Sequence, residues 1–150
     1  MRSLQVKINH NIFFTNEKLF KMNPPPPSVK SASCTFCDEP SETLLHLFAQ
    51  CPVLEPLWIE IQRILNRTFS HSQRILGTIE SDKDKNIQNH LMLILKYYIH
   101  ICRIKIQVPA VIVLRKRILY NAKIEAEIAS NLGLLDEHFA KWGDIIEGLD

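Results

Sequence analysis

Residues 31–58 read SASCTFCDEPSETLLHLFAQCPVLEPLW and gather three of the chain's four cysteines and one of its six histidines within eighteen positions. Cys34, Cys37, His46 and Cys51 follow the spacing C-x2-C-x8-H-x4-C. Two thiolates three residues apart converge on one ion from a single tight turn, and a tetrahedral metal needs two further ligands returned from elsewhere in the chain. His46 falls within a predicted two-turn helix, ETLLHLFAQ, with Ser41 placed as its N-cap and Glu42 near its positive end. Cys51 lies just past the end of that helix, so His46 and Cys51 can face the same point. Taken singly, the histidine in LLHLF reads as a packed core residue and Cys51 as a small buried hydrophobe. Taken together, the four form a compact, four-coordinate Cys3His set, which is the pattern of a closed structural zinc site without a metal-bound water. Such an ion contributes on the order of 10 kcal/mol to the folding of a small unit that lacks its own core.

Outward from this stretch the chain divides by composition. Residues 1–23 form an N-terminal segment, with a strand or short helix followed by a helix over EKLFKM that Thr15 or Asn16 can cap. Residues 24–33 start with four prolines and make a stiff extended connector. Residues 34–70 hold the metal-binding unit and a following helix, in which Leu57, Trp58, Ile61, Ile64 and Leu65 recur at three- and four-residue steps with Glu60 off the stripe. The polar run HSQRILGTIESDKDKN reads as a loop with a helical turn over Gln73 to Leu76.

Residues 86–150 form a C-terminal helical region. Ile87, Leu91, Ile94, Leu95, Tyr98 and Cys102 share one helix face. Pro109 suits the first turn of the next helix, which runs to about Asn131 with Gly133 as stop signal. A last helix near Leu134 to Ile146 presents Leu135, Phe139, Trp142 and Ile146. The fold class that emerges is mostly α, with a small zinc knuckle-like unit embedded in a helical domain. Cys102 reads as a buried thiol. With an apolar fraction of 46% in 150 residues the chain can bury a core without disulfide staples. Neither a signal peptide nor an apolar run of membrane-spanning length is present, so the expected location is intracellular, nucleus or cytoplasm.

Net charge is only +2, yet it is unevenly distributed: +4 over residues 1–30, −4 over 31–84, +8 over 85–124 and −6 over 125–150. The third segment has eight cations and no acid. Lys96, Arg103, Lys105, Arg115, Lys116, Arg117 and Lys123 are therefore the candidate contacts for a polyanion, with Lys18, Lys21 and Lys30 as a second patch. The competing reading has them solvating outer helix faces, or meeting the acidic last segment within the same molecule.

The strings TNEKLFKM, CTFC, ETLLHLFAQC and the tryptophan in PLW resemble the zinc-binding segment at the carboxyl end of reverse transcriptases from non-LTR retrotransposons, the LINE type. NHLMLILKYYIHICRIKIQVP and HFAKW are similar to the region that closes the same polyprotein, so the resemblance covers nearly the whole chain. It implies that Cys34, Cys37, His46 and Cys51 bind structural zinc. It further implies that Trp58 is the aromatic that follows the last ligand, that residues 1–23 adjoin the polymerase thumb, and that the module binds RNA or single-stranded DNA beside the reverse transcriptase. Two features depart from the pattern: the loop between second and third ligand is longer than in retroviral knuckles, and the NPPPPSV connector is unusual. No YxDD-type carboxylate pair, Gly-rich phosphate loop, GxSxG or HExxH motif is present, so the expectation is a chain that is not itself an enzyme. The alternatives are a zinc-bracketed protein-interaction module or a decayed transposon fragment. Phe36, between the first two cysteines, reads either as a base-stacking residue or as packing against the knuckle.

Overall fold

Three- and four-residue apolar spacing and few glycines leave the helix as the economical way to bury this chain, and the alternating residues 4–9, read as a strand or short helix, are helical as well. The computed structural model describes residues 1–79 and 85–149, and among them all regular structure is helical. The acids and lysine of residues 80–84, part of the loop predicted from the sequence, lie outside the described residues.

Helix α1 (Arg2–Asn9) turns through Asn11, at φ 52°, into α2 (Asn16–Phe20). The Thr15 hydroxyl accepts the Lys18 amide at 3.4 Å and so caps α2, as expected. After the connector come a π-helical turn (His46–Gln50) and a 3₁₀ turn (Pro52–Leu54) that leads into α3 (Glu55–Leu65). Helix α4 (His71–Leu76) is longer than the single turn expected, because Ser70 and Gln73 close a reciprocal capping box at its start. Helices α5 (Lys85–Lys105), α6 (Val111–Leu132) and α7 (Leu135–Glu147) complete the chain. Helix α6 starts at Val111 with Ala110 at its N-cap position, so Pro109 precedes the helix instead of standing in its first turn, and Gly133 ends that helix at φ 71°, in the left-handed region.

Helix α5 is the central element. Its predicted face, from Ile87 through Leu91, Leu95 and Tyr98 to Cys102, is buried, and α1, α3 and α6 pack around it. Helix α7 covers α6, and α4 lies between α1 and the π-helical turn. Two predicted stripes need correction. Glu60 is buried on α3, because two arginines neutralise its carboxylate. On α7 the buried line runs His138, Trp142 and Ile145, with Leu149 buried just past the helix end, while Leu135 and Phe139 face outward; Trp142 is anchored by its indole N–H to Glu125 at 2.8 Å, which sets the rotation of the helix. No helix among the described residues is long and apolar enough to cross a membrane.

Candidate metal centre

The CxxC turn is closed by its own backbone. The Cys34 amide donates to the Glu39 carbonyl at 2.9 Å, and the Phe36 amide points at the Cys34 sulfur at 3.4 Å. The second pair depends on an irregularity. In a regular α-helix five residues advance about 500°, which would leave the side chains of His46 and Cys51 about 140° apart. The chain instead widens into a π-helical turn in which the Cys51 amide donates to the His46 carbonyl at 2.9 Å, so the two ligands come to one side. The cap is also displaced from the predicted Ser41: the Thr43 hydroxyl accepts the His46 amide at 3.0 Å.

Cys34, Cys37, His46 and Cys51 each offer one ligand atom, and these four atoms lie within 4.8 Å of one another. The Cys34 and Cys51 sulfurs are 4.0 Å apart, those of Cys37 and Cys51 3.7 Å, and Cys37 Sγ lies 3.3 Å from His46 Nε2. A tetrahedral ion with metal–sulfur bonds of about 2.3 Å sets its ligand atoms about 3.8 Å apart, so the four fit one metal ion at their centre. The protonation chemistry points the same way. Contact with Cys51 draws the Cys34 thiol down to about 5, while the same contact and burial push Cys51 up, and burial pushes Cys37 up. Thiolates this close oppose one another's ionisation, and a bound cation would relieve that repulsion. Phe36 is half-buried and packs on the core, the arrangement of the packing alternative. Trp58 is core, beneath the Arg74 guanidinium at 5.3 Å.

Two side chains bind this unit to the body: Glu42, which the sequence reading places only at the positive end of a helix, and Arg74, which it does not single out. The Glu42 carboxylate, fully buried, accepts from the Asn16 amide (2.9 Å), the Thr35 amide (3.0 Å), the Thr35 hydroxyl (2.9 Å) and Arg103 Nε (2.7 Å). It thereby joins α2, the CxxC turn and α5, and with the Phe13–Phe48 edge contact at 5.4 Å it docks the N-terminal segment on the metal unit. Arg74, also buried, pairs with Glu55 and donates to the Ala49 carbonyl at 3.1 Å, holding the π-helical turn against α4. Apart from Thr35, seven positions before Glu42, the partners stand 19 to 61 positions away, so neither role has a local signature.

The seven candidate polyanion contacts are split by the fold. Lys96 is buried, its ammonium donating to Gln5 Oε1 at 2.6 Å and to the Ile75 carbonyl at 2.8 Å, and it does not present to solvent. Arg103 is committed to Glu42 and to Asn16 Oδ1, Arg115 to Glu60 at 2.8 Å, and Arg117 lies over the Tyr98 ring at 4.9 Å. Lys105, Lys116 and Lys123 are exposed, with no ion pair among the described residues. Among the described residues the acidic last segment does not neutralise the tract: Arg103 and Arg115 find their acids in residues 31–84, and Glu125 bonds Lys141 and His90. Cys102 is a buried free thiol, as expected. No family model matches the chain, and no curated protein or solved structure is significantly similar to it.

Proposed function

We propose that this chain is a zinc-stabilised helical module that binds single-stranded nucleic acid, derived from the carboxyl-terminal region of a LINE-type reverse transcriptase polyprotein. Zinc held by Cys34, Cys37, His46 and Cys51 supplies folding energy and no chemistry, since all four positions of a tetrahedral ion are taken by protein. The observation that carries the nucleic-acid reading is the sorting of the basic tract. Arg103 and Arg115 are neutralised by acids of the metal unit and α3, and Arg117 lies over the Tyr98 ring, whereas Lys105, Lys116 and Lys123 are left facing water without a carboxylate among the described residues. Exposed lysines of this kind bind phosphates as point charges.

A second reading, a protein-interaction bracket, is favoured by the apolar turn between α5 and α6, where Ile106 and Val108 are 80% and 71% exposed. Fluorescence anisotropy with a labelled single-stranded RNA separates the two. The first reading expects binding that weakens with salt with a log–log slope of about −2, three phosphate contacts at about −0.7 each. Absence of binding at about 50 mM salt would leave the interaction module as the better account. Elemental analysis of dialysed protein should return one zinc per chain, and Cys51→Ser should lower that occupancy.

A further inference from the structure

Tyr120 stands 65% exposed at the middle of the outward face of α6. Lys116 is one turn before it and Lys123 one turn after, both exposed, and residues three or four apart on a helix have their Cβ atoms about 5–6 Å from each other. The opposite face of α6, through Leu114, Ile118 and Ala122, is buried, so the helix is held rigidly with this side turned to water. Between Val111 and Ile124 there is no acid; the first on the outward face is Glu127, one turn beyond Lys123.

From this arrangement, and resting on the nucleic-acid reading above, we infer that Tyr120 is a stacking platform for one unpaired base of a single strand, with Lys116 and Lys123 holding the phosphates on either side. An aromatic ring on a rigid helix offers a flat apolar surface at little entropic cost, and every base has a face that matches it. The flanking ammonium groups supply the charge that a nucleic acid requires and that an apolar protein partner would have to leave unpaired. The bound strand must be single, because in a duplex the base faces are already stacked on their neighbours. Contact ends before Glu127, whose carboxylate repels phosphate, so the strand runs from that point toward the start of α6. Phe36, half-buried against the core, does not compete for this role.

The test compares a thymidine 20-mer with an abasic strand of the same phosphate number. Tyr120→Leu should weaken binding to the thymidine strand at least about fivefold, the lower end of what a base–aromatic stack contributes, and leave the abasic strand unaffected. Lys116→Ala with Lys123→Ala should weaken both strands and flatten the salt dependence. If the lysine variant weakens binding while Tyr120→Leu binds the thymidine strand as wild type does, stacking is overturned and the phosphate reading stands. If wild type binds neither strand, the parent reading is overturned. If Tyr120→Leu changes the sedimentation of the protein alone, the face is a self-association surface and the base contact is rejected. All three positions are exposed, so the variants fold, and helical circular dichroism checks that they do.

Discussion

Glu42 is the residue on which the metal unit and the helical body depend together. Its four hydrogen bonds use every acceptor position of the carboxylate, and among the described residues the charge of Arg103 is balanced only there. Removing one member of a buried pair leaves the other charged and desolvated. Glu42→Gln should therefore cost about 3–5 kcal/mol in urea unfolding of the zinc-loaded protein, and Glu42→Gln combined with Arg103→Leu should cost less than the sum of the two. Lys96 is the contrary case, a buried cation with neutral partners. Desolvation holds its ammonium down at about 7, against 10.5 ordinarily. Between those values the folded protein binds fewer protons than the unfolded chain, so this group's contribution to stability rises with pH through that window, and its penalty is fully present below pH 7. Thermal unfolding at pH 6.5 and pH 9 should show Lys96→Met gaining relative to wild type at the lower pH and losing that advantage at the higher.

At the scale of elements, the π-helical turn is a departure from regular geometry that the metal site requires, and the periodicity of ETLLHLFAQ did not announce it. A run of apolar residues specifies that a helical segment is buried, not how many residues each turn holds. The α5–α6 connection contains a second departure. Ile106 sits at φ 52°, in the left-handed region that a β-branched residue enters at a cost of roughly 1–2 kcal/mol, with its side chain in solvent. Ile106→Asn should raise the unfolding midpoint by several degrees, since asparagine tolerates this conformation and no buried contact is lost. A lowered midpoint would mean that the exposed isoleucine makes a contact in solution that offsets its strain.

Over the whole molecule, the metal unit is continuous with the core. Leu47 and Phe48 are fully buried, and Glu42 and Arg74 tie the unit to α2, α4 and α5. Chelation at neutral pH should therefore lower the melting temperature of the entire helical signal in one transition. Two separated transitions would show that residues 31–54 melt alone. Acid should act like the chelator, because protons compete with the metal for sulfur and imidazole, so the stability that the ion confers is present at neutral pH and is lost as pH falls.

How much of this was legible from the chain follows a rule of distance. The four candidate ligands lie within eighteen positions, and the turn between Cys34 and Cys37 is local, so residue order alone pointed to the Cys3His cluster, though not to the π-helical turn that completes it; likewise the repeat of apolar residues determined the buried face of α5, because a helix converts three- and four-residue spacing directly into one side. The fate of the charges was beyond such reading. Lys96 meets Gln5 across 91 positions, Arg103 meets Glu42 across 61 and Arg115 meets Glu60 across 55, and composition treats all of these cations as equal to Lys116. Only tertiary packing decided which ones remain for a ligand, since an ion pair between distant residues forms when the core brings their helices together, and a charge spent inside the fold no longer acts outside it.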